Sequence, residues 1–167
     1  MIKENLNAVL NRIRECEIKY SRKSGSVKLC AVSKFHPEDS VLEAFDAGQN
    51  LFGENRVQEA AAKFDSIRSK GINPELHIIG SLQRNKVREA VRIASCIQSV
   101  DRIELVQEIQ KQCEKQNKKI DVLFELHTGE ESKSGFDGTD GIKRLLELIA
   151  DGTYGRLIPK GLMTMAP

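Results

Sequence analysis

No apolar run in this 167-residue chain approaches the ~20 residues that a bilayer-spanning helix needs. The N-terminus, Met1-Ile-Lys-Glu-Asn5, lacks the apolar stretch of a signal peptide. Charge of one sign is scarce as well: 26 basic against 24 acidic side chains leave a formal net charge of +2, too little to point to nucleic acid or a membrane surface. Aromatics make up 5% of the chain, and none interleaves with Arg84, Arg88 and Arg92 to stack on bases, so that basic spacing reads as a solvated helix face. Cys16, Cys30, Cys96 and Cys113 form no Cys-x-x-Cys pair and have no clustered histidine nearby. This argues against a zinc site or a disulfide framework and suits a reducing cytosol. Cys16 and Cys113 each fall on an apolar helical stripe and are expected to be buried or half-buried. These absences predict a cytoplasmic protein with no nucleic-acid and no membrane partner.

What is present is a rhythm. The length suits one domain on the usual prior of ~100–200 residues, and 40% hydrophobic with 30% charged residues fits a globular core with a solvated surface. Leu6, Val9, Leu10, Ile13, Cys16 and Tyr20 recur at helical spacing, predicting an N-terminal helix that stops near Gly25. From Val27 onward, short β-rich runs alternate with amphipathic helices. The predicted strands are Val27–Ser33, Leu51–Gly53, Glu75–Gly80, Cys96–Val100, Ile120–Leu126 and, after a break at Pro159, Gly161–Met165. Such alternation implies βαβ units and a parallel sheet. Six units fall two short of a (β/α)8 barrel. A doubly wound six-stranded sheet fits the count, but its glycine-rich turn after the first strand is replaced by Ser33-Lys-Phe35.

Residues able to carry chemistry cluster where these strands end. Lys34 closes the first run, and the carboxyl end of a parallel sheet is where sites form. A lysine there is either a Schiff-base former or a solvated surface amine. Asn55, in Gly53-Glu-Asn-Arg56, can orient a ring hydroxyl or cap the next helix. His77 sits among apolar neighbours, a setting typical of a satisfied core histidine. Gly80–Lys86 opens a helix whose backbone N–H groups could hold an anion. Ser99 ends the fourth strand, within reach of a cofactor edge, and Asp101 is placed to cap a helix. Lys133, in the polar stretch Thr128–Gly135, faces either the mouth of a site or solvent.

The ordered set Ala-Val-Ser-Lys34, Phe-Gly-Glu-Asn55, His77-Ile-Ile-Gly-Ser-Leu-Gln-Arg-Asn-Lys86, Ser99-Val-Asp-Arg102, Glu131-Ser-Lys-Ser-Gly135 and Gly161-Leu-Met-Thr-Met165 resembles the pyridoxal phosphate homeostasis proteins. Their fold is similar to the barrel domain of alanine racemase. The resemblance implies an incomplete (β/α)8 barrel, about six units in a single domain over residues 1–167, with an extra N-terminal helix. It implies pyridoxal 5'-phosphate held as a Schiff base on Lys34. Asn55, Ser99 and Met163 would line the ring, and His77 would support the site from behind. The family's chains continue into two more strands carrying a serine/glycine/threonine phosphate cradle and an arginine for the pyridine nitrogen. A form without them is expected to bind weakly and to pair its open barrel edge with another chain as a homo-oligomer.

The implied function is vitamin B6 homeostasis without catalysis, by imine exchange with pyridoxal-phosphate-dependent acceptor enzymes. An amino-acid racemase would need a second acid/base group opposite Lys34, and the two tyrosines, Tyr20 and Tyr154, lie off the strand ends. A lysine-dependent aldolase would use Lys34 without the cofactor. A protein acting only through its surface would not depend on Lys34.

Overall fold

The computed structural model of the protein describes residues 1–127, 135–136 and 138–165. Helix α1 (Ile2–Lys19) precedes the units β1 (Ala31–Val32), α2 (Glu38–Asp46), β2 (Leu51–Glu54), α3 (Val57–Ser69), β3 (Glu75–Ile78), α4 (Val87–Ile93), β4 (Cys96–Val100), α5 (Ile103–Lys115), β5 (Ile120–Glu125), α6 (Asp140–Ala150) and β6 (Leu157–Met163). All five strand pairs are parallel, and the six strands lie in the order β1-β2-β3-β4-β5-β6. The order never reverses, which rules out the doubly wound alternative and matches barrel topology. The sheet is open between β1 and β6 among the described residues.

Strand alternation assigns the two faces. Phe52, Leu76, Ile78, Ile97, Val122 and Phe124 point toward the helices and are buried. Phe52 meets Phe64 of α3 edge-on at 6.2 Å, and Phe124 meets Phe136 in the same way at 6.2 Å. The opposite face carries the in-register row Val32, Gly53, His77, Cys96, Asp121 and Ile158. A side chain at Gly53 would place its Cβ 3.0 Å from both Cys30 Sγ and Ile79 Cδ1, so any larger residue there would have to push these two side chains aside by a few tenths of an ångström.

Several expectations change. β1 is only two residues long, because the Val27–Cys30 stretch is tied down by side chains: Glu17 accepts the Val27 and Gly25 N–H groups, and Gln49 donates to the Leu29 carbonyl. β6 begins at Leu157 and runs through Pro159. An edge strand tolerates a residue without an N–H, and the ladder shifts register next to it, between Val122 and Leu123. On α1 only Leu6 and Glu17 are buried; Val9, Cys16 and Tyr20 are exposed, so the expected burial of Cys16 is wrong, whereas Cys113 is buried. The helix touches the body chiefly through α2, which leaves Val9, Cys16 and Tyr20 of its predicted apolar stripe exposed and Leu10 and Ile13 half-buried. Asp101 caps no helix; it pairs with Arg102, itself the residue preceding α5. No helix among the described residues is long and apolar enough to cross a membrane.

Candidate functional site

The carboxyl ends of the strands form one rim. Ser33, the residue after β1, turns its side chain toward the helices and its hydroxyl donates to Glu54 Oε1 at 2.8 Å. Lys34 follows in a tight turn closed by the His36 N–H on the Ser33 carbonyl at 3.1 Å. The Lys34 amine is exposed and makes no hydrogen bond or ion pair with any described residue.

Beside it, the β2, β3 and β4 ends lock together. Gly80 lies so close to Asn55 that a Cβ there would sit 2.8 Å from the Asn55 backbone. The Gly80 carbonyl accepts the Ser99 hydroxyl at 2.6 Å. Asn55 and Ser99 are thus joined through one glycine, Ser99 fully buried and Asn55 half-buried. Asn55 does not cap α3, whose preceding residue is Arg56 with no side-chain cap, so its amide is left uncommitted among the described residues. Met163, half-buried, closes the far side in register with Glu125.

His77 lies deeper, on the inner face. The Gln98 amide donates to Nδ1 at 2.7 Å, which leaves the proton on Nε2 to donate to Glu75 Oε1 at 3.1 Å. Both ring nitrogens are used, which suits a support beneath the rim rather than a ligand-binding group. Gly80 sits in a bend and the helical turns begin only at Arg84–Lys86, a 3-10 turn that leads into the seven-residue α4, so Gly80–Gln83 precedes the helix and does not form its first turn. Arg92 is spent on Asp65 and Glu89. Lys133 and most of the Thr128–Gly135 stretch lie outside the described residues.

Two kinds of titrating group line the interior. Burial pushes the Cys30 thiol up to about 11 and the Cys96 thiol up to about 12, so neither supplies a thiolate nucleophile at neutral pH. Glu125 is also raised, first by burial and then by the neighbouring Asp101 carboxylate. By alternation from Phe124 it faces the inner side, at the end of β5. Sequence reasoning missed it; a glutamate ending an otherwise apolar strand run was the available signal. Tyr154 lies in the turn before β6, at the opposite end of the sheet from the rim, and Tyr20 ends α1.

The rim suits an aldehyde-bearing ring: one free primary amine, an uncommitted amide, a buried hydroxyl and a thioether wall. No described residue beside Lys34 forms a phosphate cradle.

The family model described as alanine racemase, N-terminal domain, matches residues 5–167. A Haemophilus influenzae pyridoxal phosphate homeostasis protein is 38% identical over 80% of this chain and 57% of its own. One from Aquifex aeolicus is 35% identical over 98% of this chain and 70% of its own. The chain therefore spans between just under three-fifths and seven-tenths of the length of these relatives. The structure of PipY from Synechococcus elongatus with pyridoxal phosphate bound superposes with a TM-score of 0.82 at 32% identity, over 100% of this chain and 71% of PipY. The alanine racemase of Clostridium difficile, at 16% identity and a TM-score of 0.64 over 93% of this chain and 40% of its own, shares the fold alone. The six parallel strands with a helix between each successive pair agree with this match, and the chain belongs to the alanine racemase N-terminal-domain family, alongside the pyridoxal phosphate homeostasis proteins.

Proposed function

We propose that this chain captures pyridoxal 5'-phosphate covalently through Lys34 and serves intracellular vitamin B6 homeostasis as a non-catalytic carrier. The observation that carries the reading is the uncommitted Lys34 amine at the carboxyl rim of the sheet, beside Asn55 and the Gly80–Ser99 lock. When bound, the cofactor supplies an aldehyde that condenses with a primary amine and releases water. Lys34 provides that amine, Asn55 and Ser99 orient the ring, Met163 walls it, and His77 holds the inner face through Glu75 and Gln98. The names of the relatives and the bound cofactor of PipY support the same ligand.

The absence of catalysis belongs to this proposal. A racemase needs a second proton-transfer group against the ring, and both tyrosines stand away from the rim. Release is by imine exchange with the amine of an acceptor enzyme in the cytoplasm. Pairing of a second copy along the open side of the sheet, between β1 and β6, is part of this proposal.

The test is a visible spectrum of the protein mixed with pyridoxal phosphate, beside Lys34→Ala. A yellow band that borohydride fixes to the wild type and that the variant lacks is the expected result. No band in either protein would overturn the cofactor reading and favour the cofactor-free aldolase, which would instead be trapped by borohydride on a carbonyl substrate.

A further inference from the structure

We infer that the buried Glu54–Lys63 ion pair is a positioning device for Lys34, clamping the backbone turn that aims its amine. The inference rests on the reading of Lys34 as the cofactor lysine. Lys34 and Phe35 are the two central residues of the Ser33–His36 turn, and Phe35 adopts φ +64°. A bulky side chain at positive φ is a strained conformation that persists only where the surroundings hold it. The Phe35 ring does not provide the hold: it is 78% exposed, and its recorded ring contact is the Arg56 guanidinium at 6.0 Å.

The hold comes from behind. Lys63 Nζ, reaching from α3, donates to the Ser33 carbonyl at 2.8 Å and to Glu54 Oε1 at 2.8 Å. The Ser33 hydroxyl donates to the same carboxylate oxygen, and the Ser33 N–H donates to the Gly53 carbonyl at 3.0 Å. Every polar group of the residue preceding Lys34 is therefore committed, and its carbonyl carries both the turn-closing bond and the lysine.

The arrangement is a poor way to gain stability. Glu54 is 1% exposed, and its Oε2 has no hydrogen-bond partner. An ion pair in that layer loses hydration on both groups, and an orphaned carboxylate oxygen adds to the loss, so apolar side chains of similar size would serve the core as well or better. A costly pair whose bonds converge on the residue before Lys34 is explained by geometry.

The decisive variant combines Glu54→Leu with Lys63→Met, and three quantities are measured on it. The thermal midpoint without cofactor is expected to stay level or rise. Hydrogen exchange at the His36 amide is expected to accelerate about tenfold. The affinity for pyridoxal phosphate is expected to fall about tenfold. Ser33→Ala, which removes one bond of the clamp, should move exchange and affinity in the same direction by a smaller factor. Unchanged His36 exchange would overturn the inference. So would a double variant that fails to fold, because the pair would then be holding the core. If wild type forms no cofactor band, the reading of Lys34 falls, while His36 exchange still decides whether the clamp exists.

Discussion

The two faces of the sheet are built to different rules. Toward the helices, the strands present Phe52, Leu76, Ile78, Ile97, Val122 and Phe124, all sealed from water. Toward the inner side, the strands present the mixed row Val32, Gly53, His77, Cys96, Asp121 and Ile158, and its two branched aliphatic members, Val32 and Ile158, remain exposed. The outer layer gathers nearly all the buried apolar area and so nearly all the stability. The inner layer contributes little to that total, which frees it to hold protonated thiols, a saturated histidine and a raised carboxyl. Glu54 is the exception in the outer layer, a charge placed among hydrocarbon within one contact of the residue preceding Lys34.

The contrast is broken most directly from the outside. Phe64→Ala empties the contact with Phe52 and should cost about 3–5 kcal/mol, a large part of a typical domain's stability, as read by urea unfolding. A loss below about 1 kcal/mol would mean that stability is not concentrated in the helix-facing layer. The inner face sharpens the contrast with the opposite sign. Glu125 has its carboxyl raised in the folded state, so the fold favours its protonated form; the associated stability is present at low pH and lost as pH rises through the raised value. Glu125→Gln should therefore lift the thermal midpoint at neutral pH by about 2 °C, with the gain vanishing once the carboxyl is protonated in acid. Equal gains at both ends of the pH range would show that charge is not the cause. Smallest of all is Val32→Thr, which exchanges one exposed inner side chain and should shift stability by no more than about 0.5 kcal/mol in the same urea assay. A larger loss would mean the inner face is packed by something that covers it in solution.

Strands that are apolar and short were legible from the sequence: Cys96–Val100 is found as expected, and the serial alternation of units carried the barrel topology. What misled was periodicity without a partner. The Val9, Ile13, Cys16 and Tyr20 stripe has helical spacing and forms a helix, yet spacing does not say whether a second surface arrives to cover it. Pro159 stood as a break because a proline stops a central strand, whereas an edge strand with a register shift admits it. At the rim, Lys34, Asn55, Ser99 and Met163 were expected from the motif order, and all four stand at or just beyond the carboxyl ends of strands. The Glu54–Lys63 clamp and the positive φ at Phe35 were not found, because both arise from a helix folding back over a turn thirty residues earlier in the chain, the separation of Lys63 from Ser33. A glutamate at the end of one apolar strand and a lysine beside the apolar stripe of the next helix were the only trace.

Serial strand order also bears on how such a chain comes off the ribosome. Every ladder joins a strand to the one synthesised just before it. Within these six strands each emerging unit meets a partner already in place, so the loop that must close at each step stays short. Translation and folding can advance in the same direction, one unit at a time, with a single growing edge to be kept from misjoining at any moment.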